Sequence, residues 1–227
     1  MIIPCYNEAK NLPLLFERCS KIRSSSDIEI VFVDNGSTDG SGQIMKDLSS
    51  HNGAFQVVTV SPNKGYGNGV LAGLRSAKGE ILSWTHADLQ TDPQDILVGL
   101  EVFERSQSKN IFVKGRRYGR PFSDLIFTLG MSLFETFLLR KVLFDINAQP
   151  NMFSREFFEK WESPPLDFSL DLFAYFCAKK QGLEIHRFPV KFGERAHGVS
   201  HWNIDWMSKW RFIKRTIEFS VQLKKRD

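Results

Sequence analysis

Through the first half of the chain, short apolar runs rich in β-branched residues alternate with stretches of helical periodicity, and the runs end in clusters of polar residues. Ile28-Glu29-Ile30-Val31-Phe32-Val33 ends at Asp34, and Gln56 to Val60 and Glu80 to Trp84 are runs of the same kind. Between them Ser41 to Ser50 and Gly69 to Ala77 carry a helical period, with Ser37, Thr38 and Asp39 as N-cap candidates before the first. Asp92-Pro93 opens a further helix running to about Glu104. Strands alternating with helices build parallel sheets through right-handed crossovers, and such sheets collect ligands at the carboxyl ends of their strands. The expected class is therefore α/β, with a mostly parallel central sheet flanked by helices. Four polar clusters should meet on one edge: Pro4-Cys5-Tyr6-Asn7-Glu8, Asp34-Asn35-Gly36-Ser37, Asn63-Lys64-Gly65 and His86-Ala87-Asp88.

The second half has another texture. Phe122 to Phe144 is a long amphipathic stretch, Phe168 to Lys180 a helix ended by Gly182, and Leu183 to Phe192 a strand. A polar loop follows, Gly193 to His201, and then a tail in which Trp202, Trp206, Trp210 and Ile213 recur at helical spacing among Lys and Arg. That tail suits a helix at a membrane interface, and equally one packing its stripe on the domain. No run approaches the roughly 18 apolar residues that span a bilayer. Leu125 to Leu139, interrupted by Thr128, Ser132, Glu135 and Thr136, should lie in a core or along an interface. No leader-like run precedes the first strand.

At 227 residues, with 42% hydrophobic and 25% charged, the chain is globular rather than disordered. Its net charge of +4 is concentrated in Lys114 to Arg120 and Lys209 to Arg215, clusters that attract phosphate or form a solvated basic face. The cations are not interleaved with stacking aromatics on a sheet, which argues against nucleic acid. Cys5, Cys19 and Cys177, odd in number and irregular in spacing, indicate a reducing, cytoplasmic setting.

His86, Asp88, Gln90 and Asp92 stand on alternate positions, so on an extended chain they would crowd one rim. Asp88 and Gln90 offer the hard oxygen ligands that Mg²⁺ or Mn²⁺ takes beside phosphate oxygens. His86 suits Mn²⁺ better than Mg²⁺, or else bonds a ribose hydroxyl or caps the strand. Asp34 either binds a base or ribose or forms an ordinary Asx turn. The segment Gly65-Tyr-Gly67-Asn-Gly69-Val-Leu-Ala-Gly73 follows a strand and opens a helix, but its spacing is not that of a dinucleotide fingerprint. Its glycines instead let a helix approach the sheet and leave room for a diphosphate.

IPCYNEAKNL, VDNGSTDGS, NKGYGNGVLAGLRSAKGE and HADLQTDP, in that order, resemble the inverting family 2 glycosyltransferases of the GT-A fold. KGRRYG, FSLDLFAYFCAKKQGLEIHRFPVKF and FGERAHGVSHW extend the likeness to the branch resembling dolichol-phosphate mannose synthase and bacterial polyprenyl-phosphate sugar transferases. The resemblance implies a GT-A domain over residues 1–200, with a nucleotide half to about 113 and an acceptor half from about 114, followed by an amphipathic helical tail over 201–227. It implies a GDP- or UDP-sugar donor contacted by Pro4, Tyr6, Asn7, Glu8, Asp34, Asn35, Ser37, Lys64, Gly65, His86, Ala87 and Asp88. It places the divalent metal, Mg or Mn, on Asp88 and Gln90 with His86 beside them. Arg117, Arg195, His197, Ser200 and His201 fall on phosphate- or acceptor-binding positions, and Asp171 on an acid near the acceptor. Catalytic work would fall to Asp88, Asp171, Arg117 and Arg195.

Two departures stand out: His86 replaces the first acid of the D-x-D pattern, and Asn35 the second acid of an Asp-Asp pair. The acceptor implied is a polyprenyl phosphate at the cytoplasmic membrane face, with peripheral membrane contact, or alternatively a saccharide hydroxyl in surface-glycan assembly. A hydroxyl needs a base, for which Asp171 is the candidate, whereas a lipid phosphate needs none. A non-catalytic nucleotide-sugar-binding protein, with His86 marking a decayed metal site, is the reading from another class.

Overall fold

The computed structural model describes residues 1–52, 55–106, 108–197 and 206–225. Its first half runs β1 (Ile2–Cys5), α1 (Leu12–Ser25), β2 (Val31–Asp34), α2 (Ser41–Asn52), β3 (Gln56–Thr59), α3 (Tyr66–Ser76), β4 (Ile81–Trp84) and α4 (Asp95–Arg105). The second runs β5 (Ile111–Tyr118), α5 (Phe122–Leu139), β6 (Asn151–Ser154), α6 (Arg155–Glu159), α7 (Leu170–Lys180), β7 (Glu184–Lys191) and α8 (Trp206–Lys225). One sheet holds all seven strands in the order β3-β2-β1-β4-β6-β5-β7. Only β6 runs against its neighbours β4 and β5, so the α/β, mostly parallel expectation holds.

The central strands read as continuous apolar runs because both faces of the sheet are covered. Val31, Val33 and Leu82 face one core with Leu71, Phe153 and Phe176, while Ile3, Phe32 and Val113 face the other with Leu15, Phe16 and Met152. Burial of this kind contributes about 25 cal/mol per Å² of apolar surface. Helix α3 lies tight on the sheet because a Cβ on Gly73 would meet the side chains of Ile2 and Val33.

Gly65 and Gly67 do different work from that expected of them. A Cβ on either would run into the backbone of residues 165–167, which crosses the first turn of α3 and takes a 2.9 Å bond from Asn68 N to Leu166 O. The room foreseen for a diphosphate is filled by the chain itself.

Helix α5 overturns the expectation that no run is long and apolar enough to span a bilayer and, of the two places expected for it, excludes the core and leaves the interface. Its inward positions are polar, Thr128, Ser132 and Glu135 before Leu139, while Phe122, Ile126, Leu129, Leu133 and Phe137 point outward, Phe137 at 88% exposure. By length and composition alone it is long and apolar enough to cross a bilayer, and it is not a core helix. Helix α8 docks on it through Ser220 and Leu223, with Ser220 Oγ donating to Glu135 at 2.7 Å. Trp210 is exposed, so it takes no part in that packing, and Trp202 lies outside the described residues.

Candidate active site

The four polar clusters do meet at the carboxyl edge of the sheet, the first three joined by their own hydrogen bonds. Asn7 turns the chain after β1 with a positive φ of 57°, accepts from Thr38 N at 2.8 Å, and its N–H donates to Ser37 Oγ at 3.2 Å. Glu8 N donates to Ser41 Oγ at 2.9 Å, which ties the same turn to the start of α2. Asp34, buried at the end of β2, accepts from Ser37 N at 3.0 Å and so closes the turn that follows the strand. Asn35 braces the next cluster, its amide donating to Gly65 O at 2.9 Å, and its buried Oδ1 has no protein partner. Pro4 lies within β1, Tyr6 and Lys64 are exposed beside these turns, and Ala87 is buried.

The segment after β4 is coiled rather than extended. Leu89 takes a φ of 59° and Gln90 N donates back to Asp88 Oδ1 at 3.1 Å, so the alternate residues do not share a rim. Asp92 is drawn into the start of α4, accepting from Gln94 N at 2.9 Å, and lies 3.4 Å from Arg18. His86 packs its ring 5.7 Å from that of Tyr66, which stacks on Phe168. Asp88 stays at the edge with its Oδ2 3.0 Å from Arg195. The loop carrying Arg195 is pinned by Gly193 N to Gln90 O at 2.7 Å, by Gln90 Nε2 to Gly193 O at 3.2 Å, and by Asn11 Nδ2 to His197 O at 3.3 Å. The His197 side chain is exposed, and Ser200 and His201 lie outside the described residues.

Among the described residues no three His, Cys, Asp or Glu side chains cluster tightly enough to hold a metal by themselves. The donor set nevertheless fits a hard cation that draws most of its ligands from a diphosphate and water, because Mg²⁺ is ordinarily held by one or two carboxylates plus phosphate oxygens. Asp88 Oδ2 already faces a positive group, the Arg195 guanidinium. Glu8 stands near both: burial raises its carboxyl above the ordinary range, the bond from Asn11 works against that, and the charge of Asp88 adds to it.

Asp171 and Arg117, the residues expected near the acceptor, are each held in a network of their own. Asp171 is 2% exposed, with Oδ1 accepting from Asn151 at 2.7 Å and from Gln149 at 3.3 Å. Gln149 also donates to Tyr66 Oη at 2.6 Å, so the carboxylate anchors a buried amide network. Burial raises its pKa, opposed by the charges of Lys114 and His86. Lys114 is fully buried, donating to Ala148 O and Asn151 Oδ1 at 2.6 Å each, and burial brings its pKa down to about 7.

Arg117 holds Asp145, its backbone N–H and Nε each 2.9 Å from the carboxylate, and its guanidinium lies 5.2 Å from the Phe192 ring. Arg120 and Arg187 approach the same carboxylate to 3.7 Å. Sequence reading missed Asp145, Arg187 and Tyr66. No local pattern marks Asp145, which lies in coil and gathers arginines from β5, β7 and the turn after β5 only once the strands pair.

Residues 1–162 match the family model described as glycosyl transferase family 2. The chain belongs to glycosyl transferase family 2. Over 102 residues this family 2 chain is 35% identical to the undecaprenyl-phosphate 4-deoxy-4-formamido-L-arabinose transferase of Aeromonas hydrophila, a match covering 42% of the chain and 30% of that protein's length. An alignment of 239 residues to the dolichol-phosphate mannosyltransferase of Pyrococcus furiosus is 28% identical and covers 97% of the chain and 67% of the relative. Glucosyl-3-phosphoglycerate synthase from Mycobacterium tuberculosis, solved with Mn²⁺, UDP and phosphoglyceric acid, superposes with a TM-score of 0.71 at 17% identity, covering 98% of this chain and 76% of the other. The same enzyme with Mg²⁺ and UDP gives 0.69 at 18%, covering 97% and 78%. These structures share the fold.

Proposed function

We propose that the chain transfers a sugar from a nucleotide diphosphate to a polyprenyl phosphate at a membrane surface. The observation that carries this reading is a juxtaposition at the carboxyl end of β5. There Arg117 lines a small cavity with Thr128, Met131 and Ser132 of α5, and the opposite side of α5 is an outward apolar face. A lipid phosphate is an anion on an apolar chain, so it suits the cationic cluster beside such a helix, where Arg117, Arg120 and Arg187 outnumber the one carboxylate, Asp145, that they share. Exposed Arg140 at the end of α5 and Lys214 on α8 add cations suited to an anionic, cytoplasmic leaflet. The relatives named for undecaprenyl and dolichol phosphates support the same acceptor class.

In this reading the donor lies across the carboxyl ends of β1, β2 and β4, with its nucleoside near Pro4, Tyr6 and Asp34 and its diphosphate near Asp88. Asp88 and Gln90 would hold a divalent cation, with His86 at the margin, and when bound that ion supplies positive charge to the leaving diphosphate. Arg195 is placed to add a guanidinium to the same developing charge. The acceptor phosphate oxygen, already ionised near neutrality, attacks the anomeric carbon. The bond to the diphosphate breaks as the new carbon–oxygen bond forms, and the configuration inverts. No base is required, which agrees with Asp171 lying beneath the surface in an amide network.

The test incubates the full chain with labelled UDP- and GDP-sugars, Mn²⁺, and vesicles carrying undecaprenyl or dolichyl phosphate, beside soluble saccharide acceptors. Label is expected in the lipid fraction from one donor. Label confined to water-soluble saccharide, or none transferred from any donor, contradicts the reading.

A further inference from the structure

Asp88 Oδ1 already accepts from Gln90 N, which leaves Oδ2 the more open oxygen toward a cation, and Arg195 stands on it at 3.0 Å. The pair is largely sheltered, with 10% of the Asp88 side chain and 25% of the Arg195 side chain exposed. Its placement is built in by the loop's reciprocal bonds to Gln90 and the bond from Asn11 to His197 O. An incoming divalent ion and the guanidinium therefore contend for one oxygen atom.

We propose that Arg195 is a stand-in cation that keeps free divalent ions off Asp88 and yields its place only to an ion arriving with a nucleotide diphosphate. The inference rests on the transferase reading above and adds a binding order to it. The reason is charge balance. A divalent ion together with a sugar-nucleotide diphosphate is close to neutral, so its arrival leaves the charge of the Glu8, Asp88 and Arg195 cluster unchanged. The free ion instead adds two positive charges beside a guanidinium held in partial burial, where such repulsion is poorly screened. Once displaced, Arg195 finds its new partner in the diphosphate oxygens, to which a planar guanidinium bonds well. Arg195 thus couples the two ligands, and metal and nucleotide bind together or scarcely at all.

The experiment measures Mn²⁺ binding to the full chain by the electron paramagnetic resonance signal of the free ion, alone and with UDP or GDP, for the wild type, Arg195→Gln and Arg195→Lys. The wild type should bind free Mn²⁺ weakly and gain at least about tenfold with one of the two nucleotides, a usual size for coupling between sites. Arg195→Gln should bind free Mn²⁺ about tenfold more tightly and lose most of the nucleotide-linked gain. Arg195→Lys keeps the charge and should keep the weak binding. If Arg195→Gln folds and its affinity for free Mn²⁺ is unchanged or lower, the stand-in role is overturned while the transferase reading survives. If Arg195→Gln does not fold, Arg195→Lys decides: weak binding with the nucleotide gain retained supports the role, and tight binding of free Mn²⁺ overturns it. If the wild type binds no Mn²⁺ with either nucleotide, both readings fall.

Discussion

Two carboxylates at the same edge of the sheet are treated in opposite ways. Asp145 is 2% exposed and receives three arginines, with its own N–H bonded to Ser132 Oγ at 3.1 Å. Burial works against its ionised form, yet Arg117 through charge and hydrogen bonds, together with Lys114, holds its pKa below the ordinary value. Asp88 receives one arginine, at the margin of solvent, from a loop rather than a strand. The first arrangement fastens β5, β7 and α5 together from several sides, and the second is a single contact between a loop and the sheet edge. An arginine beside a carboxylate is therefore uninformative until its burial and the number of its rivals are known.

The largest effect should come from Asp145→Asn. Three guanidiniums would lose their common partner, and breaking a buried pair from one side costs about 3 to 5 kcal/mol. Chemical denaturation should show that loss, whereas Asp88→Asn strands a single guanidinium whose side chain is 25% exposed and should cost less than Asp145→Asn. Equal losses for the two variants would erase the contrast.

A third carboxylate sharpens it. Glu135 is fully buried between α5 and α8 and is held by a hydroxyl rather than a guanidinium. Burial pushes its pKa from 4.5 up to about 7, against the bond from Ser220. Because the folded value lies above the unfolded one, the unfolded chain sheds this proton first as pH rises. Stability should therefore fall between about pH 4.5 and pH 7, by on the order of 3 kcal/mol across the window. Glu135→Gln should flatten that part of the stability profile, and an unchanged slope would refute the assignment.

Smaller still is the expected effect on the outward face of α5. Phe137→Glu should weaken binding to anionic vesicles by at least about tenfold, since burying such a side chain contributes roughly 1.5 to 3 kcal/mol. Thermal stability should hardly change, because the side chain is exposed. Undiminished vesicle binding in a sedimentation assay would remove α5 from the membrane contact.

The first half of the fold was legible because its strands are buried on both faces and so are written as unbroken apolar runs bounded by turn residues. The meeting of the four clusters followed from topology alone. Elsewhere local pattern and tertiary placement part company. Lys114 sits in the cationic run Lys114 to Arg120, which suggests solvent or phosphate, but the run belongs to β5 and Lys114 points into the interior. Strand β6 is four residues after a proline, too short to show a period. The apolar residues of α5 were visible, but which side of that helix faces water depends on what packs against Thr128, Ser132 and Glu135. Around Asp88 the residue types were legible and their directions were not, because the turn at Leu89 sends Gln90 and Asp92 to separate partners.

If Asp88 marks the edge where a cation and a nucleotide diphosphate bind together, replacing it should abolish their joint binding. Thermal unfolding of the wild type and Asp88→Asn, with Mn²⁺ and either UDP or GDP at about a hundred times their dissociation constants, tests it directly. One nucleotide should stabilise the wild type by about 2.7 kcal/mol, dependent on Mn²⁺, and Asp88→Asn should show no such gain. An equal shift in the two proteins, or none in the wild type, would contradict it.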